Sequence, residues 1–372
     1  MNSQELNERF SRLEFTTRAH QRLAKYKAGE EVDHIPYGMF NTEVVVGEYF
    51  GYTTSEWGSD FAKESQIIEF KRDKLGLEDM YIGMSLRTLG QAFGSKVRSV
   101  EHGPDIITDY VLDDYSKLSS LKVINPYDNP VLSGGLEKAR KLREHFPELP
   151  LTSLIKGPFS AAMGARSAEK ILKDTRNNPQ QLTELLDLCL YSNLEWVKAC
   201  TQEFGQISYM ISDPSICGNL IGKKQLLEWG FPYFVKLFNG IKEITDNTPI
   251  EVHICGKTNH FWEELAQLDI YNFSIDDCED LAQAKERIGD RLMIAGNIPP
   301  INVLKNGSID DVYEHCKQSI RICGDSPKGY LLFAGCDVAY GTPMDNLKAA
   351  ILAAKECGRS AKMGRLPLGL AD

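Results

Sequence analysis

The segment Glu251-Val252-His253-Ile254-Cys255 sets an imidazole and a thiol two residues apart, and a further thiol, Cys336, follows in Gly335-Cys336-Asp337. The first run reads as a strand, in which alternate side chains share a face. His253 and Cys255 therefore point one way, and Val252 and Ile254 point the other, toward a layer of helices. In the later run Leu331 and Phe333 are read as helix-facing, with Leu332, Ala334 and Cys336 facing inward, so three candidate ligands are expected to converge. Imidazole plus two thiolates is a zinc-type set, and three protein donors leave one position for water or substrate, as catalytic rather than structural sites do. A thiol bound there is deprotonated at neutral pH and becomes a competent nucleophile. Any one of the three alone is more simply a packed interior residue. Together, at one parity, they favour a metal.

Convergence needs a scaffold that gathers strand ends. The second half of the chain alternates short apolar runs with longer stretches of helical periodicity, the pattern of successive βα units. Eight strands are predicted: 34–40, 80–85, 151–157, 207–212, 250–255, 271–275, 292–295 and 330–335. Periodic segments such as 179–204, 223–245, 309–322 and 343–357 lie between them. No GxGxxG follows the first strand, and eight βα units fit a closed barrel better than an open doubly wound sheet. The expected fold is α/β, a single (β/α)8 TIM barrel over residues 1–372, with one or two helices in residues 1–30 and insertions within 43–147. The C-terminal strand ends of such a barrel carry its functional groups. Those positions hold Gly157-Pro158-Phe159, Asp213-Pro214, His253 with Cys255-Gly256-Lys257, Asp276-Asp277, Gly296-Asn297 and Gly335-Cys336-Asp337.

Composition limits the partners. The chain has 372 residues, 42 % of them apolar, and a formal charge of −10. Acidity with no basic stripe argues against nucleic acid, whose binding relies on clustered Lys and Arg. The polar residues 1–10 lack a secretory profile, and no apolar run approaches the length of a membrane span. A soluble cytoplasmic protein is expected. Nine cysteines, an odd number without regular spacing, are expected to be reduced thiols, mostly buried packing groups.

The ordered motifs Val252-His253-Ile254-Cys255-Gly256-Lys257-Thr258, Phe273-Ser274-Ile275-Asp276, Gly296-Asn297-Ile298-Pro299-Pro300, Gly335-Cys336-Asp337-Val338 and Thr342-Pro343 resemble the uroporphyrinogen decarboxylase superfamily. More narrowly they resemble its methylcobamide:coenzyme M methyltransferase branch. Gly157-Pro158-Phe159 and Asp213-Pro214 extend the likeness, which runs from about residue 150 onward and more faintly before it. The resemblance implies zinc on His253, Cys255 and Cys336, and methyl transfer between a methylcobalamin-type corrinoid on a partner protein and a thiol such as coenzyme M. It also allows the opposite direction, from a small methylated donor to the corrinoid. Residues 22–30 lack the Arg-Gln-Ala-Gly-Arg pattern of the decarboxylases themselves, which speaks against porphyrinogen decarboxylation, the first rival reading. A barrel that binds zinc or corrinoid without turnover and a zinc hydrolase are weaker ones. Asp276 is expected near the metal as a fourth ligand, a partner for His253, a general base or a helix cap. Asp213 is a second carboxylate candidate, with turn formation as its alternative. Asn297 would orient a substrate or shape a strand exit, and Lys257 would meet an anionic group or simply be solvated.

Overall fold

The computed structural model describes residues 1–371. All eight expected strands are present: β1 Tyr37–Gly38, β2 Met80–Met84, β3 Leu151–Lys156, β4 Ser208–Ser212, β5 Ile250–Ile254, β6 Asn272–Ile275, β7 Ile294–Ile298 and β8 Tyr330–Ala334. They form one eight-stranded sheet in the order β1-β8-β7-β6-β5-β4-β3-β2. The first strand pairs in parallel with the last, Tyr37 opposite Leu332 and Gly38 opposite Phe333. A doubly wound sheet reverses its order partway along and keeps its first and last strands apart. Consecutive order with the first strand beside the last is that of a (β/α)8 barrel, so the fold is α/β and of TIM-barrel type.

Backbone packing divides the chain into two compact units. One comprises Met1–Glu78, Glu101–Gly103 and Cys255–Asp372, and the other Asp79–Val100 and Pro104–Ile254. The first holds β1 and β6 to β8. It begins with the helices Ser3–Phe10 and Ala19–Lys27, and continues with Glu43–Tyr49, Thr54–Ser59 and Phe61–Phe70. The second holds β2 to β5. Between its strands β2 and β3 lie the helix Leu86–Phe93, an antiparallel pair of Lys96–Arg98 with Ile106–Asp109, and the helix Pro130–His145.

Two strands differ from the sequence expectation for local reasons. The run 34–40 is broken around Pro36, which has no N–H to donate. Val32–His34 pairs antiparallel with Arg359–Ala361, outside the large sheet, and only Tyr37–Gly38 joins β8. The seventh strand begins later and continues through Gly296-Asn297, which pair with Leu332 and Phe333. These two residues look like a turn in sequence but lie inside the ladder.

Helix contacts establish which face of each strand looks inward. The helix Pro179–Phe204 buries Leu182, Leu185, Leu186, Cys189, Trp196, Val197 and Cys200, the i, i+3, i+4 stripe of an amphipathic helix. Its Trp196 Nε1 donates to Ser153 Oγ at 2.9 Å, and Tyr209 Oη lies 3.2 Å from Thr201 Oγ1. Ser153 and Tyr209 thus face the helices. By alternation Leu154 and Lys156 of β3, and Met210 and Ser212 of β4, face inward. His253 pairs with Ser212, so it faces inward as well.

The exits of β3 and β4 are built around one buried carboxyl. Asp213 is fully buried, and its Oδ1 accepts from Ser160 N at 3.0 Å and from Ser160 Oγ. Ser160 lies in the first turn of the helix Pro158–Ala165, so Asp213 satisfies an end-of-helix donor from a neighbouring strand. Asp213 Oδ2 has no hydrogen-bond partner among the described residues, and a Cβ on Gly157 would lie 1.9 Å from it. Only glycine fits at 157. Burial pushes the Asp213 carboxyl up to about 7, against the Ser160 hydrogen bonds that favour its charge.

A carboxyl raised in the folded state keeps a proton that the unfolded chain releases above about pH 4. Its contribution to stability is greatest below that point and declines as pH rises toward about 7. Asp213→Asn cannot ionise, so its melting temperature relative to the parent is expected to rise between about pH 5 and about pH 8. Thermal melts across that range check this, and a pH-independent difference would contradict it.

Candidate metal site

β5 ends in a sharp change of direction. Ile250, Val252 and Ile254 are fully buried, while His253 is on the opposite side of the strand. Gly256 then adopts φ +80°, a left-handed conformation that favours glycine. The turn leaves Cys255 as the last residue before the loop, half-buried rather than enclosed. One ligand atom each from His253, Cys255 and Cys336 lies within 4.8 Å of the others. The two sulfurs are 3.4 Å apart, too far for a disulfide, and both cysteines are free thiols. Two sulfurs on one tetrahedral zinc at ligand distances of about 2.3 Å stand about 3.8 Å apart, so a few tenths of an ångström would seat the ion. The donor types and spacing fit zinc.

Cys336 reaches this cluster by a different route from the one alternation predicts. Tyr330 lies against Ser319, Cys316 and Cys323 of the helix Ile309–Cys323, so Tyr330, Leu332 and Ala334 face the helices. Leu331 and Phe333 are the inward pair, and Phe333 packs edge-on against Phe40 with ring centroids 4.4 Å apart. The inward-facing reading of Leu332 and Ala334 is therefore reversed. Strict alternation would carry Cys336 to the helix side. It lies beyond the strand, after the last ladder bond from Gly335 N to Ile298 O, and the bend there returns it to the cluster. A Cβ on Gly335 would stand 2.5 Å from Asp277 N, so glycine is what lets this bend sit against the turn after β6.

That turn ties the ligand loop in place. Asp276 Oδ2 accepts from Gly256 N at 2.8 Å, and its Oδ1 accepts from Cys278 N at 2.9 Å. Glu279 accepts from Thr258 N, from Asn259 N at 2.8 Å and from Thr258 Oγ1 at 3.2 Å. Asn297 Nδ2 donates to the carbonyls of both Asp276, at 3.1 Å, and Glu279, at 2.8 Å. The side chain of β7 thus holds the turn after β6, whose carboxylates hold the loop after β5. Asp277, beside this network, is pushed up first by burial and then by the charge of Asp276, with Cys336 adding to it. The exposed Cys278 thiol is pushed up to about 12, by burial first and then by Asp276, and so stays protonated at neutral pH.

The other expected residues are placed as follows. Asp276 is beside the ligand loop, with both carboxylate oxygens bonded to backbone N–H groups. Asn297 is 7 % exposed, its amide nitrogen committed to two carbonyls. Lys257 is exposed on the loop after Cys255. Asp213 is enclosed at the helix Pro158–Ala165. Cys189, Cys200, Cys217, Cys316, Cys323 and Cys357 are buried, the packing role expected of most of the cysteines. No helix of the described residues is long and apolar enough to cross a membrane.

Glu279 escaped the sequence reading. It carries no local signal, because its partners lie some twenty residues earlier in the chain.

A family model for uroporphyrinogen decarboxylase (URO-D) matches residues 18–357. The methylcobamide:CoM methyltransferase MtbA of Methanosarcina acetivorans is 26 % identical, over 92 % of this chain and 98 % of that protein. A uroporphyrinogen decarboxylase of Microcystis aeruginosa is 33 % identical, but over 34 % of this chain and 35 % of its own length. Among solved structures, a methyltransferase from Methanosarcina mazei superposes with a TM-score of 0.78 at 21 % identity, covering 91 % of this chain and 98 % of that one. The chain belongs to the uroporphyrinogen decarboxylase (URO-D) family, and within it the likeness that spans nearly the whole length is to the methylcobamide:CoM methyltransferase branch.

Proposed function

We propose that this protein is a zinc-dependent methyltransferase, moving a methyl group between a corrinoid carried by a partner protein and a small thiol of the coenzyme M kind. The observation that carries the reading is the approach of His253, Cys255 and Cys336 to within 4.8 Å of one another. The full-length likeness to a methylcobamide:CoM methyltransferase supports it. His253, Cys255 and Cys336 would hold the zinc, which when bound supplies a site where an incoming thiol is stable as thiolate at neutral pH.

With a methylated corrinoid as donor, the thiol sulfur would take the methyl group and the electron pair of the broken carbon–cobalt bond would stay with the corrinoid. The protein's share is to bind and align. Asp276 and Glu279 fix the backbone after Cys255, and Asn297 fixes both of them through their carbonyls. These three are positioning residues. Asp213 holds the helix Pro158–Ala165 beside the exit of β3, and Lys257 is placed on the exposed loop where an anionic partner or substrate group would arrive. Transfer in the opposite direction would use the same residues, with the corrinoid as acceptor. The three-ligand cluster supports this reading over porphyrinogen decarboxylation, a reaction that needs no metal.

Metal analysis of the purified protein is expected to find about one zinc per chain, falling well below that in Cys336→Ser. The zinc-loaded protein, incubated with methylcobalamin and a series of thiols, should convert the methylcobalamin spectrum to that of the demethylated corrinoid. No change with any thiol would overturn the reading, and decarboxylated products from uroporphyrinogen would replace it.

The carboxylates that hold the loop after Cys255 make a separate demand. Glu279→Ala frees the backbone three and four residues beyond Cys255 and should weaken zinc binding by about tenfold, the low end of the range for outer partners of metal ligands. Glu279→Gln keeps an acceptor oxygen and should recover part of it. Chelator competition measures the affinity, and circular dichroism separates this from loss of fold. Unchanged affinity in the alanine variant would remove Glu279 from the site.

A further inference from the structure

The two sulfurs of the candidate metal site can also react with each other. Cys255 Sγ and Cys336 Sγ lie 3.4 Å apart, although 81 residues separate them along the chain. A sulfur–sulfur bond measures about 2.05 Å, so travel of about 0.7 Å by each sulfur would join them. Both residues lie just past the sheet, where the backbone has room to give. Cys255 follows the last residue of β5, and Cys336 follows the ladder bond from Gly335 N to Ile298 O. Both belong to the same compact unit, in its segment Cys255–Asp372.

Access singles out this pair. Cys255 and Cys336 are half-buried, whereas Cys189, Cys200, Cys217, Cys316, Cys323 and Cys357 are buried away from a dissolved oxidant. Cys278 is exposed, but its thiol keeps its proton beside Asp276. A hydroperoxide is the oxidant this geometry suits. One sulfur attacks a peroxide oxygen and the oxygen–oxygen bond breaks; with hydrogen peroxide one water leaves and a sulfenic acid remains. The second sulfur then attacks the first. The sulfur–sulfur bond forms as the sulfur–oxygen bond breaks, and the oxygen departs as a second water with the proton of the second thiol. Two thiols have given up two electrons, and one peroxide has been reduced to two waters.

We propose that Cys255 and Cys336 are a redox modification site: in the metal-free chain a hydroperoxide joins them in a reversible disulfide, and disulfide and metal exclude each other. The exclusion rests on the proposed binding of zinc, whereas the linkage rests on the placement of the sulfurs alone. A bound cation engages the thiolate electrons with which either sulfur would attack the oxidant. A disulfide in turn removes two of three donors and leaves His253, too few to hold the ion. The linkage also spares both sulfurs from further oxidation to sulfinic acid, which thiol reductants do not reverse. A chain caught without its metal thereby keeps its ligands and recovers them by thiol–disulfide exchange.

The test treats the full chain, stripped of metal by a chelator and freed of reductant, with a small excess of hydrogen peroxide, followed by digestion without reductant. Mass spectrometry should find the peptides carrying residues 255 and 336 joined, and the thiols titrated in denaturant should fall by two from nine. The joined peptide should form faster in the folded chain than in one unfolded by urea. The zinc-loaded chain should keep all nine thiols over the same period. Dithiothreitol should return to the oxidised chain both the lost thiols and its capacity for zinc. In Cys255→Ser, shown to be folded by circular dichroism, Cys336 has no partner and should pass to the sulfinic acid beyond rescue by dithiothreitol. Cys278→Ser should leave the linkage unchanged. Sulfinic acids at 255 and 336 with no joined peptide, a bond from either to Cys278, or an equal rate in the unfolded chain would each overturn the proposal. A linkage that forms as fast with zinc bound would overturn the exclusion. If the reduced chain binds no zinc, the metal reading fails, and the peptide map still decides the linkage by itself.

Discussion

Two sulfurs 3.4 Å apart are compatible only with a limited set of charge states. As two thiolates they repel strongly wherever water is partly excluded. They are stable as neighbours when one donates its proton to the other, or when a cation stands between them and an imidazole completes the shell. Much of the surrounding architecture serves to keep that approach available. The turn after β5, the carboxylates after β6, the amide on β7 and the glycine after β8 each remove freedom from a segment that carries a sulfur or touches one that does.

The barrel supplies this at low conformational expense, because strand ends are already side by side. What it does not supply is the last ångström. A loop of five residues, Cys255 to Asn259, would wander if its N–H groups met only water. Here Gly256, Thr258 and Asn259 donate to two carboxylates. Hydrogen bonds to ionised acceptors are about twice as strong as neutral ones. The same carboxylates add negative charge around the ligand loop, which favours binding of a cation over an empty pair of thiols.

The strands were largely legible in the sequence, because β-branched and apolar runs bounded by Gly, Pro and Asn leave few alternatives. His253 and Cys255 were legible for a related reason: a histidine and a cysteine on one face of Ile-Glu-Val-His-Ile-Cys stand out against the apolar other face, whereas Cys336 was placed by an alternation that β8 does not follow. β8 was read with the wrong face inward because Tyr-Leu-Leu-Phe-Ala is apolar throughout and buried on both sides, and alternation carries no information there. Gly296-Asn297 imitated a turn inside a strand, and Pro36 divided what looked like one run. The roles of Glu279 and of the Asn297 amide depend on partners from other strand ends, which no local pattern encodes.

The position of Cys336 beyond its strand has an evolutionary side. Leu332 and Ala334 pack the wall, and their replacement would disturb the core. Cys336 belongs to a connecting segment, where exchange is tolerated far better. The thiol there can accordingly be gained or lost by changing a loop residue while the wall keeps its packing. A barrel built this way can change the side chains at its mouth in few steps, with the wall's stability left almost untouched.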